Sequence, residues 1–312
     1  MPDGARVIDA HTHLYSEEMT PPYWLDSMAS YGSSISSRSR EEVRRRIERD
    51  WFDATGDLLV ADMDAAGIDT SVVFILDFGL HGGVNDGVSL ERRYELFAQA
   101  VARHPGRLVL YGGIDPRRPD APAFIERAAT EYGIRGVKIW PPAGAYPNDT
   151  SAYRVYERCA QLGLPVVVHT GQEIGPLCSH TTQPILVDQP ASDFPELTFV
   201  LAHAGMAWWQ EAAEIAWHHP NVYLDIAYWQ GKYLRSPERF FSELRGLIST
   251  AGKRRVLFGT DWPALRTVPK VKHDVWVDLL RGLPETAPDG IVFERDEIDL
   301  LMGGAAAAAL GL

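Results

Sequence analysis

Short, almost continuously apolar runs rich in β-branched residues recur along the chain, at 6–10, 70–76, 108–114, 136–140, 165–169, 197–203, 222–226 and 256–259. Apolar residues at successive positions put hydrophobic side chains on both faces of a strand, which is how strands covered on both sides read. Between the runs, apolar positions return at helical spacing near 56–66, 88–103, 120–132, 151–162, 184–193, 208–218, 237–250 and 270–281. Several of these segments close on stop signals: Ala66-Gly67, His104-Pro105-Gly106, Leu162-Gly163 and His219-Pro220. Eight strand–helix alternations with right-handed crossovers predict an α/β protein, a single (β/α)8 TIM barrel. An open, doubly wound sheet that bound a dinucleotide would carry a Gly-rich first turn. This chain has Asp9-Ala10-His11-Thr12-His13 there instead.

Two segments fall outside the alternation. Residues 14–55 form a long insertion after the first strand, and residues 38–50 within it carry six arginines and four acids. That run reads as a solvated helix face with intrahelical ion pairs, the alternative being a subunit contact. Residues 282–312 form a C-terminal extension, and its five alanines at 305–309 predict a terminal helix capping the barrel. The remaining composition narrows the function. With 312 residues, 46% hydrophobic and 23% charged, the chain is globular and of the length of one α/β barrel, a single domain over 1–312. Its net charge of −12 repels phosphate backbones and excludes a nucleic-acid partner. No apolar run reaches the roughly 18 residues of a membrane span. The opening Met1-Pro2-Asp3-Gly4 lacks the basic and apolar regions of a signal peptide. Two cysteines, Cys159 and Cys178, are too few for a disulfide framework or a thiolate zinc site. The expectation is a cytoplasmic protein acting on a small molecule, with a homodimer compatible with it.

In a barrel of this kind, reactive groups sit where strands end. Here the first strand ends in His11 and His13, the fifth in His169, the sixth in His203 and the eighth in Asp261, so four of ten histidines fall at strand ends. Strand side chains alternate between faces, so His11 and His13 point the same way, about 7 Å apart along the strand. Two imidazoles so placed can share one cation; adding His169 and Asp261 gives three nitrogens and an oxygen, a set that suits zinc, with iron, manganese or cobalt as alternatives. Asp9, of the same parity and one step deeper, is a candidate to orient a ligand histidine.

The order and spacing of these motifs resemble the amidohydrolase superfamily, in particular the amidohydrolase-related branch that includes aminocarboxymuconate semialdehyde decarboxylase. The resemblance runs through Ile8-Asp9-Ala10-His11-Thr12-His13, Gly136-Val137-Lys138, His169-Thr170-Gly171, Leu201-Ala202-His203-Ala204-Gly205 and Gly259-Thr260-Asp261-Trp262-Pro263. It implies His11, His13, His169 and Asp261 as ligands of one divalent metal, with His203 as the free histidine that moves protons or polarises substrate. Lys138 has three readings: pairing with a carboxylate, bridging two metals as a carbamate, or no part in the site.

A bound divalent cation lowers the pKa of water from 15.7 to about 7. Asp261 then has an oxygen free to take a proton, and His203 can stabilise an oxyanion or protonate a leaving group. This implies a metal-dependent hydrolase of a small cyclic or aromatic carboxylate, lactone, ester or amide; the alternative is a non-oxidative decarboxylase of an unsaturated or aromatic acid. Aromatic residues follow several strand ends (Trp140, Trp208, Trp209, Tyr228, Trp229 and Trp262), and Tyr15, Tyr23 and Trp24 come from the insertion, which favours a flat substrate. Lys138, Trp140, His180 and Trp262 are candidate substrate contacts, and His81, in the loop after the second strand, is another. Arg117, Arg118, Lys232 and Arg266 are candidate carboxylate holders. His104, His218, His219 and His273 read as surface residues.

Overall fold

The computed structural model describes residues 6–78, 80, 88–175, 177 and 179–312. His81 and Cys178 lie outside the described residues. Eight strands stand in sequence order around one sheet: β1 (Ile8–His13), β2 (Thr70–Phe74), β3 (Leu108–Gly113), β4 (Val137–Ile139), β5 (Val166–His169), β6 (Phe199–Ala202), β7 (Val222–Asp225) and β8 (Val256–Leu257). Every neighbouring pair is parallel. The ring closes between the last and first strands, where Ala10 N–H donates to Phe258 O (2.9 Å), His13 N–H donates to Trp262 O (2.8 Å) and Thr12 bridges Trp262. Helices fall where the apolar spacing places them, for example Asp57–Ala66, Leu90–Ala102, Ala121–Glu131, Thr150–Leu162 and Pro237–Ala251.

Several strands stop short of their apolar runs, and the residues left over become the loops that carry the chemistry. The first strand does the opposite. It continues through both histidines to His13, with a register shift against β2 between Asp9 and Thr12.

The barrel interior is filled by Ile8, Val72, Phe74, Tyr111, Val167, Val200 and Leu257, and is closed from below by Ala305, Ala306 and Leu310. Small residues let that terminal helix (Ala305–Leu310) seat against the strand starts. A side chain at Gly303 would collide with the Arg6 carbonyl oxygen, so the chain enters the helix through a glycine.

The insertion forms two helices, α1 (Pro22–Ser34) and α2 (Arg40–Trp51). A capping box starts α2: the Ser39 hydroxyl accepts Glu42 N–H (3.2 Å) and the Glu42 carboxylate accepts Ser39 N–H (2.8 Å). Its charged face carries Arg45–Glu41 and Arg44–Glu48 pairs at i,i+4 spacing and an Arg44–Asp26 pair back to α1. Exposed pairs of this kind contribute about 0.3–0.5 kcal/mol each. The other face does the anchoring. Trp24, Leu25 and Ile47 pack with Tyr15, Leu76, Phe78 and Trp140, which follow β1, β2 and β4. The insertion is therefore a roof over the C-terminal mouth of the barrel. One histidine departs from the sequence expectation: His273 is buried, not on the surface.

Candidate active site

His11 and His13 project from the same face of β1, and their Nε2 atoms come within 3.2 Å. Asp261, from the loop after β8, places Oδ1 3.3 Å from His13 Nε2 and 3.5 Å from His11 Nε2. The His203 ring, after β6, has its centroid 4.7 Å from that of His11 and 4.7 Å from that of His169. His203 Nε2 lies 3.2 Å from His169 Nδ1. Among the described residues, the ligand atoms of His11, His203 and Asp261 all lie within 4.8 Å of one another. The structure thus gathers all five predicted residues into one chain of contacts, with His13 at one end and His169 at the other. It also brings His203 as near to His11 and Asp261 as a ligand would be.

Backbone conformation contributes to this placement. His203 and Asp261 both have φ of 60°, in the left-handed region that costs a non-glycine residue about 1–3 kcal/mol. Each is held there by a buried hydrogen bond. Asp225 Oδ1 accepts His203 N–H (2.8 Å), and His11 O accepts Asp261 N–H (2.9 Å).

Hydrogen-bond partners fix two tautomers. His11 Nδ1 lies 2.9 Å from Asp225 Oδ2, an acceptor, so Nδ1 carries the proton and Nε2 the lone pair. His203 Nδ1 lies 3.1 Å from Ala227 O, so its Nε2 also carries the lone pair. Burial pushes the His11 pKa well below that of free histidine, helped by Lys138 and the neighbouring imidazoles. Burial, then His169, brings His203 to about 4. Burial alone would raise Asp261, but the His13 hydrogen bond and the charges of His203, His13 and Lys138 hold it at about 2. The inward Nε2 lone pairs of neutral His11 and His203 beside an ionised Asp261 are a set of donors suited to a cation. Donors on a tetrahedron with bonds of about 2.0–2.1 Å stand about 3.4 Å apart. The three separations among His11, His13 and Asp261, 3.2, 3.3 and 3.5 Å, fit such an ion.

Asp9 does not orient the His11 ring. Its Oδ1 accepts the backbone N–H groups of His11 (3.1 Å) and Thr260 (3.0 Å), and its Oδ2 accepts the Thr260 hydroxyl (2.6 Å). It ties β1 to the β8 loop, and burial raises its pKa to about 7 against those three donors. The ring is served by Asp225, at the end of β7. The signal was present in Val222-Tyr223-Leu224-Asp225, a strand-terminal acid like Asp261. Glu173 is a second residue that the sequence reading passed over. Its Oε1 lies 2.8 Å from His169 Nε2, at ion-pair distance but without hydrogen-bond alignment.

Above the donors lies a cavity of about 360 Å³, lined by His13, His169, His203, Asp261, Glu173, Lys138 and a largely apolar wall that includes Tyr15, Trp24, Trp51, Trp140 and Tyr228. The Lys138 ammonium is buried with no hydrogen-bond partner, 4.6 Å from the centroid of the Phe74 ring. Burial lowers its pKa to about 8, opposed by Asp225, Asp261 and Glu173. The other candidate substrate contacts divide. Trp140 lines the cavity. Trp262 does not: its ring is fully buried, and its indole N–H donates to Asp62 (2.8 Å). His180 is exposed and packs beside Tyr146, away from the lining residues. The candidate carboxylate holders are committed elsewhere: Arg117 to Asp115, Arg118 to Asp77, Lys232 to Glu243 and Arg266 to Asp62.

A parallel (β/α)8 barrel with this donor cluster at its strand ends defines an enzyme with a divalent-metal site of the amidohydrolase type. Residues 8–312 match the amidohydrolase family model, and the chain belongs to that family. It is 21% identical over 298 residues to 2-amino-3-carboxymuconate-6-semialdehyde decarboxylase of Dictyostelium discoideum, covering 82% of this chain and 81% of the relative. Among solved structures, it superposes on a manganese complex of 5-carboxyvanillate decarboxylase from Novosphingobium aromaticivorans with 4-hydroxy-3-methoxy-5-nitrobenzoic acid (TM-score 0.67, 15% identity, 100% of this chain and 97% of the other). It superposes equally on a zinc-bound amidohydrolase from Burkholderia multivorans (TM-score 0.67, 18% identity, 99% and 100%). No helix among the described residues is long and apolar enough to cross a membrane.

Proposed function

We propose that this amidohydrolase is a metal-dependent, non-oxidative decarboxylase of a small aromatic or unsaturated carboxylic acid. The hydrolase that the sequence resemblance put first takes second place. The observation that carries this reading is the setting of the donor cluster. It lies at the floor of a cavity roofed by the α1–α2 insertion and walled largely by aromatic and aliphatic side chains. Hydrolysis needs water beside the reacting carbon. Loss of carbon dioxide with protonation at carbon turns a carboxylate into neutral products, and a largely apolar lining favours that change. The family relationship supports it, since the curated relative and the manganese-bound neighbour are both named as decarboxylases.

His11, His13, His169 and Asp261 would hold the divalent ion. When bound, the ion supplies Lewis acidity toward a substrate oxygen. The aromatic walls hold the flat body of the substrate. His203 relays the proton: its Nδ1–H is fixed on Ala227 O, so Nε2, which carries the lone pair at rest, takes a proton from solvent and delivers it to the substrate carbon. As that C–H bond forms, the C–C bond to the carboxylate breaks and carbon dioxide leaves. The net change replaces one carboxylate by one hydrogen, and no redox partner is needed.

Turnover by the metal-loaded enzyme of a panel of hydroxybenzoates and substituted acrylic acids, in deuterated and in ¹⁸O-labelled water, tests the reading. Stoichiometric carbon dioxide and one deuterium on the organic product are expected. Incorporation of ¹⁸O into the product without carbon dioxide release would overturn it and restore the hydrolase.

A further inference from the structure

We infer that the substrate is a monocarboxylate: one carboxylate held at the cavity floor by the Lys138 ammonium, joined to a flat body that is otherwise uncharged. The inference rests on the functional reading above and names the substrate class of the same site.

Three observations carry it. First, Lys138 is a buried ammonium with no hydrogen-bond partner. An unpaired buried charge costs several kcal/mol, so it is retained only where something supplies a counter-charge. Its face-on contact with Phe74 compensates in part, by about 0.5–2 kcal/mol. The ammonium still has donors to offer, and it lines the same cavity as the donor cluster.

Second, it is the sole lysine or arginine among the described lining residues. The other lining charges are the carboxylates of Glu173 and Asp261. Arg117, Arg118, Lys232 and Arg266 are spent on carboxylates of their own. Arg38 and Arg46 line a second groove that shares Gly32, Ile35, Val43, Ile47 and Trp51 with the cavity, and neither lines the cavity itself.

Third, the roof that would face the far end of a bound ring is apolar. Trp24, Met28, Ile47 and Leu265 supply no donor able to neutralise a second carboxylate. A cation in the donor cluster would lie at the same floor as Lys138, so a dicarboxylate spanning the cavity would leave its far anionic group against hydrocarbon or displaced toward Glu173, which is itself negative. A monocarboxylate leaves no anionic group away from the floor.

Calorimetric titration of the metal-loaded enzyme with two matched pairs tests this: 4-methylbenzoate against benzene-1,4-dicarboxylate, and 3-methylbenzoate against benzene-1,3-dicarboxylate. At least one monocarboxylate is expected to bind ten-fold or more tightly than its paired dicarboxylate. Lys138→Met should weaken that monocarboxylate at least ten-fold with metal content unchanged, and Lys138→Arg, which keeps the charge, should recover part of the loss. Equal or tighter binding of both dicarboxylates, unchanged affinity in Lys138→Met, or no binding of either monocarboxylate would overturn the inference. Loss of metal in Lys138→Met would also overturn it, by making the lysine part of the metal site. The readout is binding, so it is independent of turnover. The inference can fail while carbon dioxide is still released, and it can hold when the labelled-water experiment favours hydrolysis.

Discussion

Replacing Asp225 by asparagine tests the architecture of the site at the point where most of it converges. One carboxylate serves three donors: Oδ2 accepts His11 Nδ1–H (2.9 Å), and Oδ1 accepts the N–H groups of His203 (2.8 Å) and Ala227 (3.0 Å). Asparagine preserves the shape and one acceptor, but the other contact becomes donor against donor. If the amide oxygen stays on the two backbone N–H groups, the amide nitrogen faces His11. The ring must then move its proton from Nδ1 to Nε2, and Nε2 no longer offers a lone pair to a cation. If the amide turns over, His11 is served, and the left-handed backbone at His203 loses its restraint. Both outcomes disturb the donor cluster without removing any of its donor atoms.

The magnitude follows from the bond lost. A hydrogen bond to a charged group contributes about 1.5–3 kcal/mol. That corresponds to about 10–100-fold in metal affinity, the range seen when a ligand histidine loses its outer partner. Asp225→Ala is the less informative variant. It leaves three buried donors unsatisfied at about 1–3 kcal/mol each and threatens the fold itself. Competition of Asp225→Asn with a chromophoric chelator, at a pH where the wild type is fully loaded, measures the effect. Thermal unfolding of both metal-free proteins separates it from a loss of fold. A folded Asp225→Asn protein that binds metal within two-fold of wild type would refute the argument that this carboxylate sets the His11 tautomer.

Two further outcomes follow from the same geometry. His203→Asn should reduce turnover by about 10² or more while leaving metal content near wild type, whereas a His11→Ala/His13→Ala double variant should lose the metal; elemental analysis beside initial rates distinguishes the two, and metal loss in His203→Asn would make His203 a ligand. Trp24→Ala, which removes a cavity wall stacked on Tyr15 at 5.0 Å, should raise KM about ten-fold through lost apolar contact while the barrel's main unfolding transition stays within a few degrees, and a large fall in that transition would show that the roof is part of the core.

The barrel was legible because its signals are local and repeated. A strand buried on both faces must be apolar at successive positions, and Val166-Val167-Val168 can hardly be anything else once a stop signal precedes it. The five residues of the candidate site that the fold brings together were legible for a related reason. His11, His13, His169, His203 and Asp261 interrupt or follow apolar runs at their ends, where a parallel barrel collects its reactive groups. Trp262 shows the limit of that logic. It follows the eighth run as directly as Asp261 does, yet its ring turns into the core to reach Asp62. Strand order indicates which residues reach the mouth of the barrel, but not which way a ring turns there. His180 fails for the complementary reason, since its loop carries it outward beside Tyr146.

What stayed illegible was the pairing of charges across the barrel. Asp9 and Asp225 are both buried, strand-borne acids near His11, and chain distance favours the nearer one, yet the imidazole takes its partner from 214 residues away. Parity explains the choice. The Asp9 side chain lies two residues before His11 on the same face, below the ring, and is engaged by Thr260 from the adjoining strand end. β7 delivers Asp225 level with both His11 and His203, so one carboxylate can serve a ring on β1 and a backbone after β6. The same kind of argument decides what Lys138 can do. In the sequence it stands in Gly-Val-Lys-Ile-Trp, equally suited to an ion pair or a metal bridge. In the fold, the carboxylates of Asp225, Asp261 and Glu173 attract its charge from a distance while none comes close enough to hydrogen-bond it. A cation held by surrounding fields and left without a partner presents its donors to the cavity. It is this arrangement, and not the lysine's place in the sequence, that suits it to an anionic substrate.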